Sequence, residues 1–534
     1  MKITYPGSVV ATASYDANGN TLHATGLGYT RDETWDALDR RTSTTYNYNG
    51  IFSKTISYQY DVDSHRTRMN YSDGTYVTYV WDPIGRLNKT AFSDGSAWWY
   101  AYDQDDRRTK LTEPNNVVTT WVYDAASRLN TTSAKKGATT LELFTYWYEK
   151  AGNRVRVVEA DMSWVKYDYD NLYRLIKESA SDGRYTSYDY DKDGNRRHAI
   201  NSTATTTLSY GKEDQLLQSV VSGGGTMTYA YDKNGNLRSK TLAGNATTYG
   251  YDVENRVTSI AGGGPTASFE YSTEGKRMKR LSGGTTTFFG YDYAGVSGGD
   301  DIVAEFTSTG SVNTTYVHGP RVDDPLGMKK AAWSFYQRDG LGSVTRLTDG
   351  AGGTLATYRY NAFGAIRSQT GTSNTYGFTS RENEAALMFY RTRYYDPSAG
   401  RFTSSDSAGV CGGYNRYAYV GNNPANRIDP SGRLPSHLFD GGGSDSYVSG
   451  GVEFNPIWYV RAYYCADGSE PTFGCCKWSA VCIAGVVGAW SVRIPICLAC
   501  VADPTRAICL ACLGLWVGGT ALAFICCEVR PIPR

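Results

Sequence analysis

Apolar and polar positions alternate along most of the chain in short runs, and each run closes on a polar turn. In TMTYAYDKNGNLRSKTLAGN, residues 226–245, Tyr229 and Tyr231 fall on one face of a strand with period two. Asn234-Gly235 supplies a positive-φ pair for a tight hairpin turn, Leu237 begins the return strand, and Gly244-Asn245 makes the next turn. Asp232 is placed to accept backbone hydrogen bonds within its own turn. This unit recurs. A Tyr or Trp followed closely by Asp stands at Tyr15, Trp35, Tyr60, Trp81, Tyr102, Tyr123, Tyr148, Tyr169, Tyr190, Tyr210, Tyr231, Tyr251, Tyr271 and Tyr291. Most intervals are 20 or 21 residues, with two of 25. A period in the twenties marks a stacked array whose units bury their apolar faces against one another. Each unit offers about two large side chains, worth roughly 1.5–3 kcal/mol apiece. One hairpin alone is unstable; the stack is stable.

Composition strengthens the all-β expectation. The chain has 44 Tyr against 16 Phe, with 58 Gly, a balance that favours strands and turns over helices. Its 534 residues exceed one compact core and suit several domains or one long array. With 54 basic and 53 acidic side chains, no strong field draws nucleic acid or an anionic membrane to the bulk of the chain, so neither DNA nor RNA is expected as its partner. The five histidines (His23, His65, His198, His318, His437) lie far apart, which argues against histidine metal sites or triads; no cofactor is expected. MKITYPGSVVATASYDANGN holds no apolar core of signal-peptide length, and the repeats begin almost at once.

Some tempting motifs reduce to turns. Asp189 to Asn195 imitates the start of a calcium loop, but the twelfth position is Ile200 where an acidic ligand is needed. The glycine runs at 223–225 and 262–264 lack a following Lys-Ser/Thr and read as loops. The abundant Tyr and Trp read as core and cross-strand ladders rather than sugar platforms.

A dense, non-repeating segment interrupts this rhythm at residues 381–432. FYRTRYYDPSAGRF and NRYAYVGNNPANRIDPSG within it, with FYQRDGLGSVTRLTD at 335–349 and YRYNAFGAI at 358–366 upstream, resemble the core that closes RHS-repeat (YD-repeat) proteins. The resemblance implies a coiled array of YD hairpins forming part of a hollow β-shell around a C-terminal polypeptide. Fourteen repeats look few for a sealed shell, so the chain reads as a fragment or a short member. The implied organisation is repeats over 1–320, core over 321–432, linker over 433–452 and variable tail over 453–534. It also implies an aspartyl-type self-cleavage by Arg393 in RTRYYDP, Asp406 in SSDSAG and Asp429 in IDPSG, with the cut near Arg433 or Leu434. Two carboxylates brought together cannot both ionise cheaply, so one serves as acid and the other as base, and a neighbouring arginine holds the ionised partner. Here SDSAG replaces the family's DPxG, Ser405 replaces its arginine, and Arg433-Leu434-Pro435 replaces a leucine directly after glycine. The alternative keeps both aspartates as turn-formers in a plug; Asp396 reads as a turn residue in either case.

Beyond the Gly/Ser/Asp linker the composition changes. The tail holds Cys465, Cys475, Cys476, Cys482, Cys497, Cys500, Cys509, Cys512, Cys526 and Cys527, and residues 507–527 contain no charge. Apolar stretches at 480–502 and 507–527 predict a small α-helical hairpin, the second long enough to cross a bilayer. Three readings stay open: zinc held by the two CxxC pairs, a disulfide-stapled mini-domain, or a membrane-inserting hairpin. The function expected is a secreted or cell-surface bacterial carrier whose shell encloses a toxin, with an immunity protein, secretion machinery and a target-cell membrane as partners. The alternatives are a surface or adhesion array with a membrane-anchoring tail, and an enzyme toxin of unfamiliar type.

Overall fold

A computed structural model of the protein describes residues 2–4, 10–297, 300–409, 414–433 and 435–437, and the backbone of short strands at 447–448, 453–454, 496–503, 506–517 and 520–528. From Lys2–Thr4 to Ile366–Thr370 the chain forms 35 strands of one antiparallel sheet, each paired with the next in sequence.

Every aromatic anchor from Tyr15 to Tyr291 is the residue at which the strand register slips by one. The slip follows from the turn. In the 226–245 unit the Gly235 N–H donates to the Asp232 carbonyl (3.2 Å) and the Asp232 N–H to the Asn236 carbonyl (2.9 Å). Gly235 has φ +80° while Asn234 does not enter the left-handed region, so the turn is a type I turn followed by a glycine bulge, not the expected positive-φ pair. The next turn places that pair at Ala243 (φ +50°) and Gly244 (φ +83°), with the strand resuming at Asn245. Asp232 Oδ1 accepts the N–H groups of Asn234 and Asn236, both at 2.9 Å, as the sequence predicts. Asp191 does the same for Asp193 and Asn195, so the calcium-like string is a hairpin turn.

Two contacts recur between successive repeats. The anchor hydroxyl or indole N–H reaches back to a carbonyl of the preceding return strand: Tyr102 to Leu87, Tyr123 to Arg108, Tyr169 to Arg154 and Tyr190 to Leu175. In several repeats an arginine four residues after the turn aspartate pairs with that aspartate and lies over the next repeat's tyrosine. Arg86, Arg107 and Arg174 pair with Asp82, Asp103 and Asp170, and sit 5.0, 4.8 and 4.7 Å from the rings of Tyr102, Tyr123 and Tyr190. The anchor spacing is therefore the reach of a tyrosine across one hairpin.

The sheet also folds back on itself. Tyr46 and Tyr48 donate to the Tyr291 and Phe289 carbonyls, and Tyr71 to that of Tyr316. Buried ion pairs join Arg66 to Asp292 (2.6 Å) and Arg108 to Asp324 (2.8 Å), and Glu142 receives Arg346 and Arg359, both at 2.9 Å. Glu113 lies in this seam against the Gln337 amide (2.9 Å). Burial pushes its carboxyl up to about 8, so the folded chain holds a proton there that the unfolded chain releases. Between the ordinary carboxylate range and pH 8 stability therefore falls as pH rises. Glu113→Gln is expected to raise the melting temperature at pH 8.5 and to leave it unchanged near pH 4, as read by thermal unfolding at the two values.

After Thr370 the chain builds a second, four-stranded sheet from Glu382–Glu384, Leu387–Tyr390, Arg393–Asp396 and Arg401–Phe402. Tyr390, Tyr395, Phe402 and Tyr419 form its buried aromatic centre. This core lies across the repeat turns: Tyr417 donates to the Gly235 carbonyl, Asn422 to that of Gly194, and Arg401 to that of Asp214. Asp396 accepts Ser398 within its own turn and Lys240 from the repeats (2.9 Å), in line with a turn role.

Residues 446–534 form a separate unit. Over the described residues the helical hairpin expected there is corrected: Ile496–Asp503, Arg506–Val517 and Thr520–Glu528 are three antiparallel strands, while 480–495 of its first arm lie outside the described residues. Short apolar runs do not distinguish helix from strand by periodicity, and the Gly, Val, Ile and Cys content lowers helix propensity here. Backbone register sets Cys497 opposite Cys512 and Cys500 opposite Cys509, with Cys526 opposite Cys512 on the other side. Cys465, Cys475, Cys476 and Cys482 lie outside the described residues. Among the described residues no helix is long and apolar enough to cross a membrane.

Candidate self-cleavage site

The site sits at the tip of the hairpin between Leu387–Tyr390 and Arg393–Asp396. The turn residues are Arg391 and Thr392, and Arg391 adopts φ +53°, a conformation usually left to glycine at this position. Asp323 holds it there, accepting from Arg391 Nη2 (2.8 Å) and from Arg381.

Arg393, the first strand residue after the tip, gathers the expected trio. Its Nη2 lies 2.8 Å from Asp406 Oδ2 and 3.6 Å from Asp429 Oδ2. All three side chains are buried, with relative exposures of 5%, 4% and 2%. Nη1 donates to the Arg416 carbonyl (2.9 Å), Nε donates to the Gly432 carbonyl, and the guanidinium covers the Phe402 ring at 3.6 Å. Asp406 Oδ1 accepts the Ala408 N–H (2.8 Å), and Gly409 N–H closes the turn onto the Asp406 carbonyl (3.1 Å). SDSAG thus forms a turn without the proline. Asp429 Oδ1 accepts the Ser431 hydroxyl and the Arg433 N–H, both at 3.1 Å.

Burial drives the electrostatics. It raises the Asp406 carboxyl above the ordinary range against the pull of Arg393, with Asp429 adding to the rise. It also lowers Arg393 against the pull of both aspartates. Two carboxylates beside one guanidinium in a dry site cannot both ionise cheaply.

Gly432 fixes where the segment can lie. Its φ is +71°, and a Cβ there would meet the Tyr390 carbonyl at 2.3 Å and Thr392 Oγ1 at 2.9 Å. Gly432→Ala is expected to push the segment off the hairpin tip and so to stop any cut made there, while leaving the melting temperature within a few degrees, checked by gel time course and thermal unfolding. Arg433 is exposed, and Leu434 lies outside the described residues. Sequence reasoning missed Arg391 and Thr392, although both stand in the quoted RTRYYDP. Elsewhere, Asp61, Asp63 and His65 bring ligand atoms within 4.8 Å of one another, but Asp61 Oδ1 already accepts the Asp63 and His65 N–H groups of an ordinary repeat turn.

A meander of tyrosine-anchored hairpins, closed by a core that buries Arg393, Asp406 and Asp429 beside DPSG, defines a YD-repeat shell protein. The chain belongs to the Teneurin YD-shell family, whose model matches residues 12–187 and 150–419, and it is of the RHS/YD-repeat polymorphic-toxin type. Toxin subunit YenC1 of Yersinia entomophaga is 38% identical over 108 residues, covering 19% of this chain and 11% of that protein. The tRNA nuclease WapA of Bacillus subtilis is 27% identical over 278 residues, covering 49% of this chain and 12% of its own length. Toxin protein Tse5 of Pseudomonas aeruginosa is 45% identical over 53 residues, 10% of this chain and 4% of its own length. The chain thus spans only a small part of these relatives. Among solved structures, the Photorhabdus luminescens Tc holotoxin pore shares the fold with TM-score 0.59 at 14% identity, over 82% of this chain and 28% of that one. The TcdB2-TccC3-Cdc42 crystal structure does so with TM-score 0.57 at 15% identity, over 79% and 27%.

Proposed function

We propose that the protein is a carrier shell that encloses its own C-terminal tail and frees it by cutting the chain just past DPSG. The observation that carries this reading is the meeting of Arg393, Asp406 and Asp429 in a buried cluster against the Gly432 carbonyl. A turn needs no arginine bridging two buried carboxylates, and burying charged groups is costly unless they are used or fully paired. In this reading Asp429, which touches the Arg433 nitrogen, handles the proton of the leaving amine; Asp406 keeps Arg393 in place. The toxin names of YenC1 and Tse5 support secretion and delivery into a competing cell. The tail, apolar and cysteine-rich, is read as the payload, acting at a target membrane or as a disulfide-stapled domain.

The test is to purify the full chain and follow it on a denaturing gel. Two fragments that stay associated under native conditions, the smaller beginning shortly after Gly432, support the carrier. A single stable chain that fractionates with membranes supports the surface-anchored array instead. Expressing residues 433–534 in a host and recording growth and membrane potential tests the payload reading; a host that grows normally with an unchanged potential overturns a membrane-acting tail.

A further inference from the structure

We propose that one face of the repeat sheet, from Arg68 to Tyr185, is a peripheral docking surface for an anionic lipid bilayer; this stands apart from self-cleavage and from the tail. The third residue of successive return strands carries it. That position holds Arg68, Lys89, Lys110, Arg156 and Lys177, with neutral Thr131 between Lys110 and Arg156. Each is paired in register with the residue just before an aromatic anchor, as Lys89 is with Val80 and Arg156 with Trp147. Return strands are every second strand, so neighbouring members of the row stand about 10 Å apart across the sheet. Side chains alternate between the two faces of a strand. On the opposite face these strands and their partners bury Tyr79, Leu87, Tyr100, Leu111, Tyr146 and Leu175, so the row is turned away from the packed interior.

Aromatic rings lie between the cations. Arg68 sits 3.7 Å from the Tyr76 ring, Lys89 4.3 Å from Trp99, and Lys177 5.5 Å from Tyr185. Arg156 lies between Trp147 (5.4 Å) and Trp164 (5.5 Å). Such contacts are also ordinary cross-strand stabilisation. Later repeats show that the hairpin does not require them. The same position holds Gln218, Ser239 and Ser259 in hairpins of the same register. Where charge returns it is matched: His198 meets Asp189 at 2.7 Å, and Lys279 meets Glu270 at 2.6 Å. Between Arg68 and Tyr185 the strands place a single carboxylate on this face, Asp168, opposite Lys177. A formal net charge of +1 for the whole chain thus conceals a local row of unbalanced cations.

Half-exposed apolar groups complete the face: Val80 (49%), Trp99 (48%), Val122 (53%) and Trp147 (43%). Indole rings and valines beside cations match a headgroup layer, which offers negative charge at the surface and apolar depth just below it. A nucleic-acid strand matches less well. In a duplex each strand carries a phosphate about every 3.4 Å, so a cation every 10 Å or so leaves most of that charge unpaired. The valines also have nothing to bury against there. In a fluid bilayer the anionic headgroups gather beneath each cation.

The full chain is mixed with vesicles of phosphatidylglycerol and phosphatidylcholine, or of phosphatidylcholine alone, and bound protein is read by sedimentation. Binding to the anionic vesicles only, released by about 0.5 M salt, is expected. That release separates a peripheral contact from a chain anchored in the bilayer. Lys89→Gln, Lys110→Gln and Lys177→Gln together are expected to weaken binding roughly hundredfold, about fivefold per cation. The melting temperature stays within a few degrees of wild type, and arginine at the same three positions keeps wild-type binding. Trp99→Thr, which keeps a good strand former, is expected to weaken binding roughly tenfold, the worth of about 60 Å² of apolar surface leaving water. A triple glutamine chain that binds as tightly as wild type overturns the proposal and assigns the binding to other parts of the chain. So does a wild-type chain that ignores anionic vesicles. One that takes up a single-stranded oligonucleotide and no vesicles overturns it too, and makes the face a nucleic-acid surface.

Discussion

An Asp429→Asn chain is expected to remain in one piece, with self-cleavage slowed at least about a thousandfold, within the span that removal of a general acid or base produces. Asparagine keeps the shape, and its amide oxygen can still accept the Ser431 hydroxyl and Arg433 N–H that now reach Asp429 at 3.1 Å. It cannot carry the proton that the leaving nitrogen requires. Arg393 keeps its closer partner Asp406 at 2.8 Å, so the fold survives with a melting temperature within a few degrees of wild type. A gel time course over days, set beside thermal unfolding, reads both quantities. Cleavage at the wild-type rate would take the proton-donor role from Asp429 and leave the carrier shell untouched.

The second large effect is on stability. Asp324→Ala is expected to cost about 3–5 kcal/mol, the range seen when one partner of a buried ion pair is removed. Asp324 is fully buried between Arg108, at 2.8 Å from a strand far away in sequence, and Arg338 in the adjoining strand. Without it two guanidinium groups remain in a dry seam. The two arginines respond differently, Arg108 raised by Asp324 against burial and Arg338 lowered by burial, and both stay charged. Burial tends to raise the Asp324 carboxyl, but the arginines hold it well below the usual range. A depressed folded-state value means stability that is complete above about pH 4 and lost as pH falls further. Denaturant unfolding at pH 7 reads the loss, and an acid titration of the variant is expected to show a shallower decline below pH 4 than the wild type. Equal stability of the two chains at pH 7 would mean the seam tolerates the uncompensated arginines through bound anions or local opening.

Much of the ladder was legible in the chain. The tyrosine-aspartate pairs mark the strand ends and turns correctly because both act locally: an aspartate accepts N–H groups two and four residues on, as Asp103 does from Asp105 and Arg107. The type of turn was misread. Asn-Gly favours a two-residue hairpin in isolation, but the Asp232 carboxylate, by accepting two N–H groups of its own turn, stabilises a longer one with a single left-handed residue. The repeating arginine four residues after the aspartate was visible and passed over, since its second contact, the next repeat's tyrosine, becomes apparent only when hairpins stack. The helical reading of the tail failed for the reason that apolar runs of that length satisfy strand and helix alike.

The amino-acid sequence by itself determined the period and the all-β class, because these rest on spacing and short motifs; Arg393, Asp406 and Asp429 were singled out through a family resemblance, and the fold brings the three side chains together. Tertiary structure alone decided which distant turns of the sheet touch, that Asp324 and Glu113 lie buried in the seam between them, and that Arg391 and Thr392 grip the segment before Arg433. The reason is one of range. Turn chemistry acts over a few residues and leaves a mark in the string, whereas desolvation and charge pairing depend on neighbours some two hundred residues away that only the closing of the sheet brings together.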